Sequence, residues 1–348
     1  MHSTSPRILI IKPSSLGDVI HALPVLAAAR HTHPDAHIAW LVNEQFAPLL
    51  EGHPLLDEVI PFHRRRYGRM WCNPGAFFDF WRFVLELRRN RFDIVLDLQG
   101  LIRSGLTSFF CGAPQRHGFA DAREGAWLFY THRIPRAATD EHAVDKNLRL
   151  ARSAGLNAEK PEFPLAPRQA GLDEARRMLS EAAGRPLDAF IAVLPGARWE
   201  SKLWPVEHLA RLMDLMHDAG LPPVVLLGAS DERERTRRAI DACRSAPIDL
   251  VGATSLRQLT ALLFLAERIV CHDSGPLHIA AALNKPTVAL FGPTNPARTG
   301  PYSPAARVLT HPIACAPCYR RNCPFGHQRC LRDLSPETIL EAVQAPAD

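Results

Sequence analysis

No stretch of this 348-residue chain approaches the roughly 20 consecutive apolar residues that a membrane-crossing helix requires, so no integral span is expected. Met1 to Ile11 contain no long apolar run of the kind that marks a secretory leader, and the expectation is a cytoplasmic protein. No G-x-G-x-x-G follows the first apolar run, and G-x-x-x-x-G-K-[ST] occurs nowhere. Dinucleotide-dependent dehydrogenases and P-loop enzymes thereby lose their main support. The net charge is +5, yet no nucleic-acid-binding motif accompanies it, so no nucleic-acid partner is expected.

What is present is the composition of a soluble globular protein, 47% hydrophobic and 22% charged. The length is large for one core and points to two domains. Short apolar runs recur with helical segments between them. They are Arg7–Lys12, His37–Val42, Val59–Ile60 and Asp93–Leu98 in the first half. In the second half they are Ala189–Leu194, Val224–Gly228, Ile269–His272 and Thr287–Phe291. That alternation implies an α/β fold, with parallel sheets covered on both faces by helices. Pro24 is expected to kink or shorten the helix it enters. The stretch at about 158–171, bearing Pro161, Pro164 and Pro167, is the best candidate linker. The expected organisation is an N-terminal domain over 1–165 and a second domain over 172–330. A last helix within 331–348, capped at Ser335-Pro336, is expected to cross back to the first domain.

Four segments carry candidate chemistry. Cys271 to His278 packs polar residues and Gly275 between an apolar run and a helical one, the setting of a phosphate-binding helix N-terminus. Capping of that helix by Asp273 or Ser274 is the plainer alternative. His63 to Arg69 concentrates positive charge suited to phosphates, or else forms a solvated loop. Trp71, Phe77, Phe78, Phe80, Trp81 and Phe83 are more aromatics than one helix face buries easily. Contact with a membrane surface competes there with packing into the core. Cys315, Cys318, Cys323 and Cys330 fall within sixteen residues, with His311 and His327 nearby. In a cytoplasmic protein this favours structural zinc over disulfides, although the spacings match no standard zinc module.

The motifs together resemble a known family. Lys12-Pro13-Ser14-Ser15-Leu16-Gly17-Asp18-Val19 is similar to the N-terminal signature of glycosyltransferase family 9, the lipopolysaccharide heptosyltransferases. The resemblance continues through Pro195–Trp199, Lys202–Pro205, Asp273–His278 and Leu290–Pro296, in the family's order. It implies a GT-B fold, two Rossmann-like doubly wound domains facing a central cleft, with the nucleotide sugar held mainly by the second. It implies metal-independent, inverting transfer of heptose from ADP-heptose to the inner core of lipid A. By resemblance Asp18 is the catalytic base, a carboxylate that takes the acceptor hydroxyl's proton; helix capping is its alternative role. Lys202, with Arg198, resembles the donor-phosphate contact, where a fixed cation stabilises departing ADP. Asp273 is expected to face sugar hydroxyls, with Ser274, Gly275 and His278 along the pyrophosphate. Glu232 matches an acid that binds the adenosine ribose, or else simply begins a charged helix.

On the acceptor side the expectation comprises Ser15, Gly17, Arg64, Arg65, Arg66, Arg69, Gln99 and Arg103, arginine forks suiting phosphates and sugar-acid carboxylates. Gln99–Ser104 and His117–Phe119 favour the branch that adds the first heptose to the keto-sugar acid. The cysteine cluster departs from the best-known members of that branch, which leaves the acceptor open and suggests local bracing of a loop. The implied enzyme is a monomer at the cytoplasmic face of the inner membrane, in peripheral contact with it, and needs no cofactor beyond its ADP-heptose substrate. Competing readings are a family 9 transferase using another acceptor (the second heptose) or another nucleotide sugar, and a GT-B sugar-nucleotide epimerase. A nucleotide-binding module without catalysis would leave Asp18 unexplained.

Overall fold

The computed structural model describes residues 5–69, 72–137 and 140–346; Trp71 lies outside them. The chain divides into two compact units with the boundary between Pro164 and Leu165. In the first unit the strands are β1 (Arg7–Ile11), β2 (His37–Asn43), β3 (Glu58–Phe62), β4 (Ile94–Asp97), β5 (Gln115–Phe119) and β6 (His132–Ile134). In the second they are β7 (Ile191–Leu194), β8 (Val224–Leu226), β9 (Ile248–Asp249), β10 (Arg268–His272), β11 (Thr287–Phe291) and β12 (Ala306–Thr310).

Each sheet has six parallel strands, in the orders β3-β2-β1-β4-β5-β6 and β12-β11-β10-β7-β8-β9. Both therefore begin at the centre, run outward, return, and run outward the other way, the doubly wound order of Rossmann-like domains. Parallel pairing demands a crossover between consecutive strands, and helices supply it. The central strands are apolar on both faces because helices cover both. Ile8 to Ile11 in β1 and Ile269 to Cys271 in β10 are all buried.

The helix start at Leu16 is broken as Pro24 requires. Leu16–Ile20 ends, and Leu23–Thr32 begins with Pro24 in its first turn, where no N–H is needed. Helix Pro74–Arg89, capped by Asn73 Oδ1 on the Ala76 N–H at 3.0 Å, buries Phe80, Phe83, Val84 and Leu87 beside Leu9, Ile11 and Val95. Burying each such side chain is worth about 1.5–3 kcal/mol.

The final helix, Pro336–Gln344, packs on the second unit. Ile339 and Val343 sit with Leu334 in the second unit's own core, against helix Val206–Asp218 and β11. An apolar stripe on the last helix goes to the nearest uncovered surface of the sheet that precedes it. Among the described residues no helix is long and apolar enough to cross a membrane.

Candidate donor and acceptor sites

In an open parallel sheet, ligands lie beyond the strands' carboxyl ends, where the strand order reverses. That point falls between β1 and β4 in the first unit and between β7 and β10 in the second. Register sets the strand ends level, Ile11 beside Asp97 and Leu194 beside Cys271, so the loops that leave them are neighbours.

In the first unit the loop after β1 delivers Asp18 as the third residue of helix Leu16–Ile20. Its Oδ2 accepts from the Ser15 N–H at 2.7 Å and the Ser15 hydroxyl at 2.8 Å. The capping alternative is thus realised, and it holds the carboxylate at the helix N-terminus. The group still reaches solvent, at 44% exposure, and its Oδ1 lies 3.7 Å from Lys12 Nζ. Lys12 is buried and donates to the Leu98 carbonyl at 2.8 Å, so the cation beside Asp18 is fixed from the β4 side.

The loop after β4 is shaped by Asp97, fully buried at that strand's end. Its Oδ1 accepts from the N–H groups of Gln99 (3.0 Å) and Gly100 (3.1 Å), and its Oδ2 from the Tyr130 hydroxyl (2.7 Å). Burial raises the Asp97 carboxyl above its usual range despite those donors, and burial together with Asp97 raises the Tyr130 hydroxyl. The turn needs Gly100 at φ +64°, and it aims Gln99 Oε1 at the Ser14 N–H, 3.3 Å away. A pocket lined by Pro13, Ser14, Phe62, Arg64, Gln99 and Arg103 lies over these loops. It unites three of the expected acceptor residues. Arg66 instead pairs with Asp79 at 2.5 Å on helix Pro74–Arg89, while Arg65 and Arg69 are exposed outside the pocket lining.

In the second unit Lys202 ends a short turn, Glu200–Lys202, after β7. Its Nζ donates to Asp273 Oδ2 at 2.5 Å and lies 4.6 Å from the Trp199 ring centroid. The same Asp273 oxygen accepts from Thr294 Oγ1 after β11. Asp273 is therefore a buried partner of Lys202 and Thr294, where the sequence suggests a carboxylate facing sugar hydroxyls. A charge that poorly solvated needs such partners, and a lysine supplies one with two further donors in hand. Ser274 makes no side-chain cap on helix Gly275–Ala282, and His278 is buried in its first turns.

His272 orders this corner. Its Nε2 accepts from the Trp204 N–H at 3.0 Å, so Nδ1 carries the proton toward the Leu194 carbonyl at 3.2 Å. Burial pushes its pKa down to about 4. Glu232, after β8, lies in a notch between two strand ends. A methyl group on Gly196 or Gly228 would come within 1.8 or 2.2 Å of its carboxylate. Burial raises its pKa, against the Ala229 N–H donated at 3.1 Å. Arg198 is exposed.

Residues 80–328 match the family described as glycosyltransferase family 9 (heptosyltransferase). Lipopolysaccharide heptosyltransferase 1 of Pseudomonas aeruginosa is 33% identical over 341 residues, covering 96% of this chain and 93% of that protein. The chain belongs to glycosyltransferase family 9. It is similar also to lipopolysaccharide heptosyltransferase 2 of Escherichia coli, at 29% identity over 97% of this chain and 98% of that one. The solved E. coli heptosyltransferase WaaC with ADP superposes with a TM-score of 0.75 at 28% identity, covering 96% and 98% of the two chains. The E. coli ADP-heptose heptosyltransferase II gives 0.78 at 26%, covering 97% of each. The GT-B expectation of two Rossmann-like domains thus holds unit by unit, and the protein is a glycosyltransferase.

Within this family 9 chain the cysteine segment borders the loop that carries Lys202. Cys315, Cys318, Cys323 and Cys330 are free thiols lining one small pocket with His327 and Ser201. Among the described residues no group of three or more His, Cys, Asp or Glu is arranged to hold a metal ion, so the zinc expectation lacks its geometry. Burial and the other three cysteines push Cys330 up to about 11. For Cys323 the burial cost is outweighed by the N–H groups of Gln328, Phe325, Gly326 and His327 together, which lower its pKa.

Several residues of the two corners escape sequence reasoning. Lys12 stands in the first motif, but nothing in the spacing marks it as the cation beside Asp18. Lys146 lies 4.4 Å from the Phe119 ring centroid, with its pKa lowered by burial and Lys12 among the charges it senses. Asp97, Tyr130, Thr294 and His272 acquire roles only once the strands are paired. The one available signal was position: Asp97, His272 and Thr294 all stand at or just beyond strand ends.

Proposed function

We propose that this glycosyltransferase moves heptose from ADP-heptose to the keto-sugar acid of the lipid A inner core, with Asp18 as general base. The observation that carries the reading is the placement of its carboxylate and of the Lys202–Asp273 pair, each at a strand-order reversal of its own unit. In the transfer an acceptor hydroxyl gives its proton to Asp18 as its oxygen bonds the anomeric carbon. The bond from that carbon to the diphosphate breaks, and the electron pair leaves with ADP. Lys202 keeps Asp273 with one N–H and offers the others to the departing diphosphate, a preset cation where negative charge grows. Ser274, Gly275 and the start of their helix line the pyrophosphate, and Glu232 takes the ribose hydroxyls. Support for the donor comes from relatives solved with ADP and with ADP-2-deoxy-2-fluoro heptose.

Arg64, Gln99 and Arg103 around one pocket suit an acceptor bearing a carboxylate, which favours the first heptose over the second. The acceptor is a lipid, and the first unit carries a surface to match. Phe77, Phe78, Leu85, Phe109, Trp127 and Leu128 are exposed there, with Arg82, Arg88 and Arg89 among them. We place this surface against the inner leaflet of the inner membrane. Calorimetry with ADP-, UDP- and GDP-sugars tests the donor: binding of the ADP-sugar alone is expected, and preference for UDP-sugar would overturn the assignment.

A further inference from the structure

The four-cysteine segment has no role in the transfer proposed above, yet it touches the loop that carries Lys202. Ser201, immediately before Lys202, is buried at 3% exposure. Its hydroxyl donates to the Arg320 carbonyl at 2.6 Å and its N–H to the Arg321 carbonyl at 3.0 Å. Gln328 Nε2 donates to the Glu200 carbonyl at 3.2 Å. The segment also grips the opposite wall, since the Tyr319 N–H donates to the Pro293 carbonyl at 2.8 Å, one residue before the Thr294 that bonds Asp273. One stretch of chain thus ties down both the residue before Lys202 and the residue before Thr294.

We infer that segment 315–330 is a positioning element of the donor site, and that Ser201 is the residue through which it fixes Lys202. This rests on Lys202 contacting the donor phosphate. A lysine side chain is long and flexible, so an ammonium that must meet a diphosphate loses much freedom on binding. Anchoring the backbone on both sides, at Ser201 on the cysteine segment and at Trp204 on His272, removes part of that cost beforehand. The cysteines pack the segment into a fixed shape, with Ser201 sharing their pocket. Arg320 and Arg321 serve through their carbonyls, so their side chains are immaterial to the anchoring.

The test is a double-mutant cycle on the full-length chain, reading ADP affinity by calorimetry and folding by melting temperature. Ser201→Ala should weaken ADP roughly tenfold, the scale of one lost buried hydrogen bond. In a Lys202→Ala background the same change should have no further effect. Gln328→Ala, at a more exposed site, should weaken ADP about two- to threefold on the same scale, again only while Lys202 is present. It keeps the test open if Ser201→Ala folds poorly. Equal weakening with and without Lys202, or none in either single variant, would overturn the inference while leaving the phosphate role intact. If Lys202→Ala alone binds ADP like the parent, the phosphate role itself falls and the inference with it.

Discussion

Glu232 and His272 carry opposite costs, and each makes a residue-scale prediction. Glu232 is held in a notch only glycines leave open, with its carboxyl pKa raised by burial. A carboxyl whose folded pKa lies above its unfolded value contributes stability that is fully present below the unfolded value and is lost as pH rises through the folded one. Above that range the shift therefore works against folding, a cost that the proposed ribose contact would offset. Glu232→Gln should raise the melting temperature of the ligand-free protein by about 1–3 °C and weaken ADP roughly tenfold. Thermal shift and calorimetry on one sample check both, and a variant that loses stability and keeps affinity would refute the ribose role. His272 has the reverse sense. The unfolded chain takes its proton near the ordinary value of 6.5, while the folded chain resists until about 4. Stability is therefore fully present above about pH 6.5 and falls as pH drops toward 4. His117, also pushed down to about 4 by burial and by His132, adds a like term in the first unit. His272→Gln should flatten the melting-temperature profile between pH 6.5 and 4, though lowering stability at neutral pH through its two lost bonds. An unchanged slope would mean that the imidazole is not the titrating group.

At the scale of elements, the strands bearing functional loops were legible because they are central. Buried on both faces, β1, β4, β7, β10 and β11 read as near-continuous apolar runs. Strands β5 and β6, Gln115–Phe119 and His132–Ile134, lie toward a sheet edge and contain Arg116, His117 and Arg133, so no apolar run announces them. The aromatic helix was legible only in part. Its spacing shows a buried face, but the ring chain from Phe77 through Trp81 and Phe110 to Phe109 joins it to the next helix, Ile102–Phe110, beyond β4. Phe78 at 70% exposure and Leu85 at 57% leave apolar area in water that a bilayer interface would cover. Phe78→Ser with Leu85→Ser should lower binding to vesicles containing anionic phospholipid about tenfold, since each apolar side chain withdrawn is worth on the order of 1 kcal/mol or more. ADP affinity should not change. Equal vesicle binding by parent and variant in co-sedimentation would remove this surface from the account.

For the whole molecule, the alternation of strands and helices, the linker and the ordered motifs were enough to anticipate two Rossmann-like domains. The destination of the last helix was not legible, because Ile339 and Val343 make an apolar stripe that any uncovered sheet face would accept. Nor was the Lys202–Asp273 pairing, since 71 residues separate the two and only the β7–β10 register brings their loops together. Both units present their polar side chains at the reversal of strand order, and the donor assignments fall in one unit and the base in the other. That division makes the central claim separable by one substitution. Asp18→Ala, assayed for heptose transfer from ADP-heptose and for ADP binding, should lose transfer by about two to four orders of magnitude while binding ADP like the parent. Transfer at the parental rate by a variant that binds ADP normally would contradict Asp18 as the base.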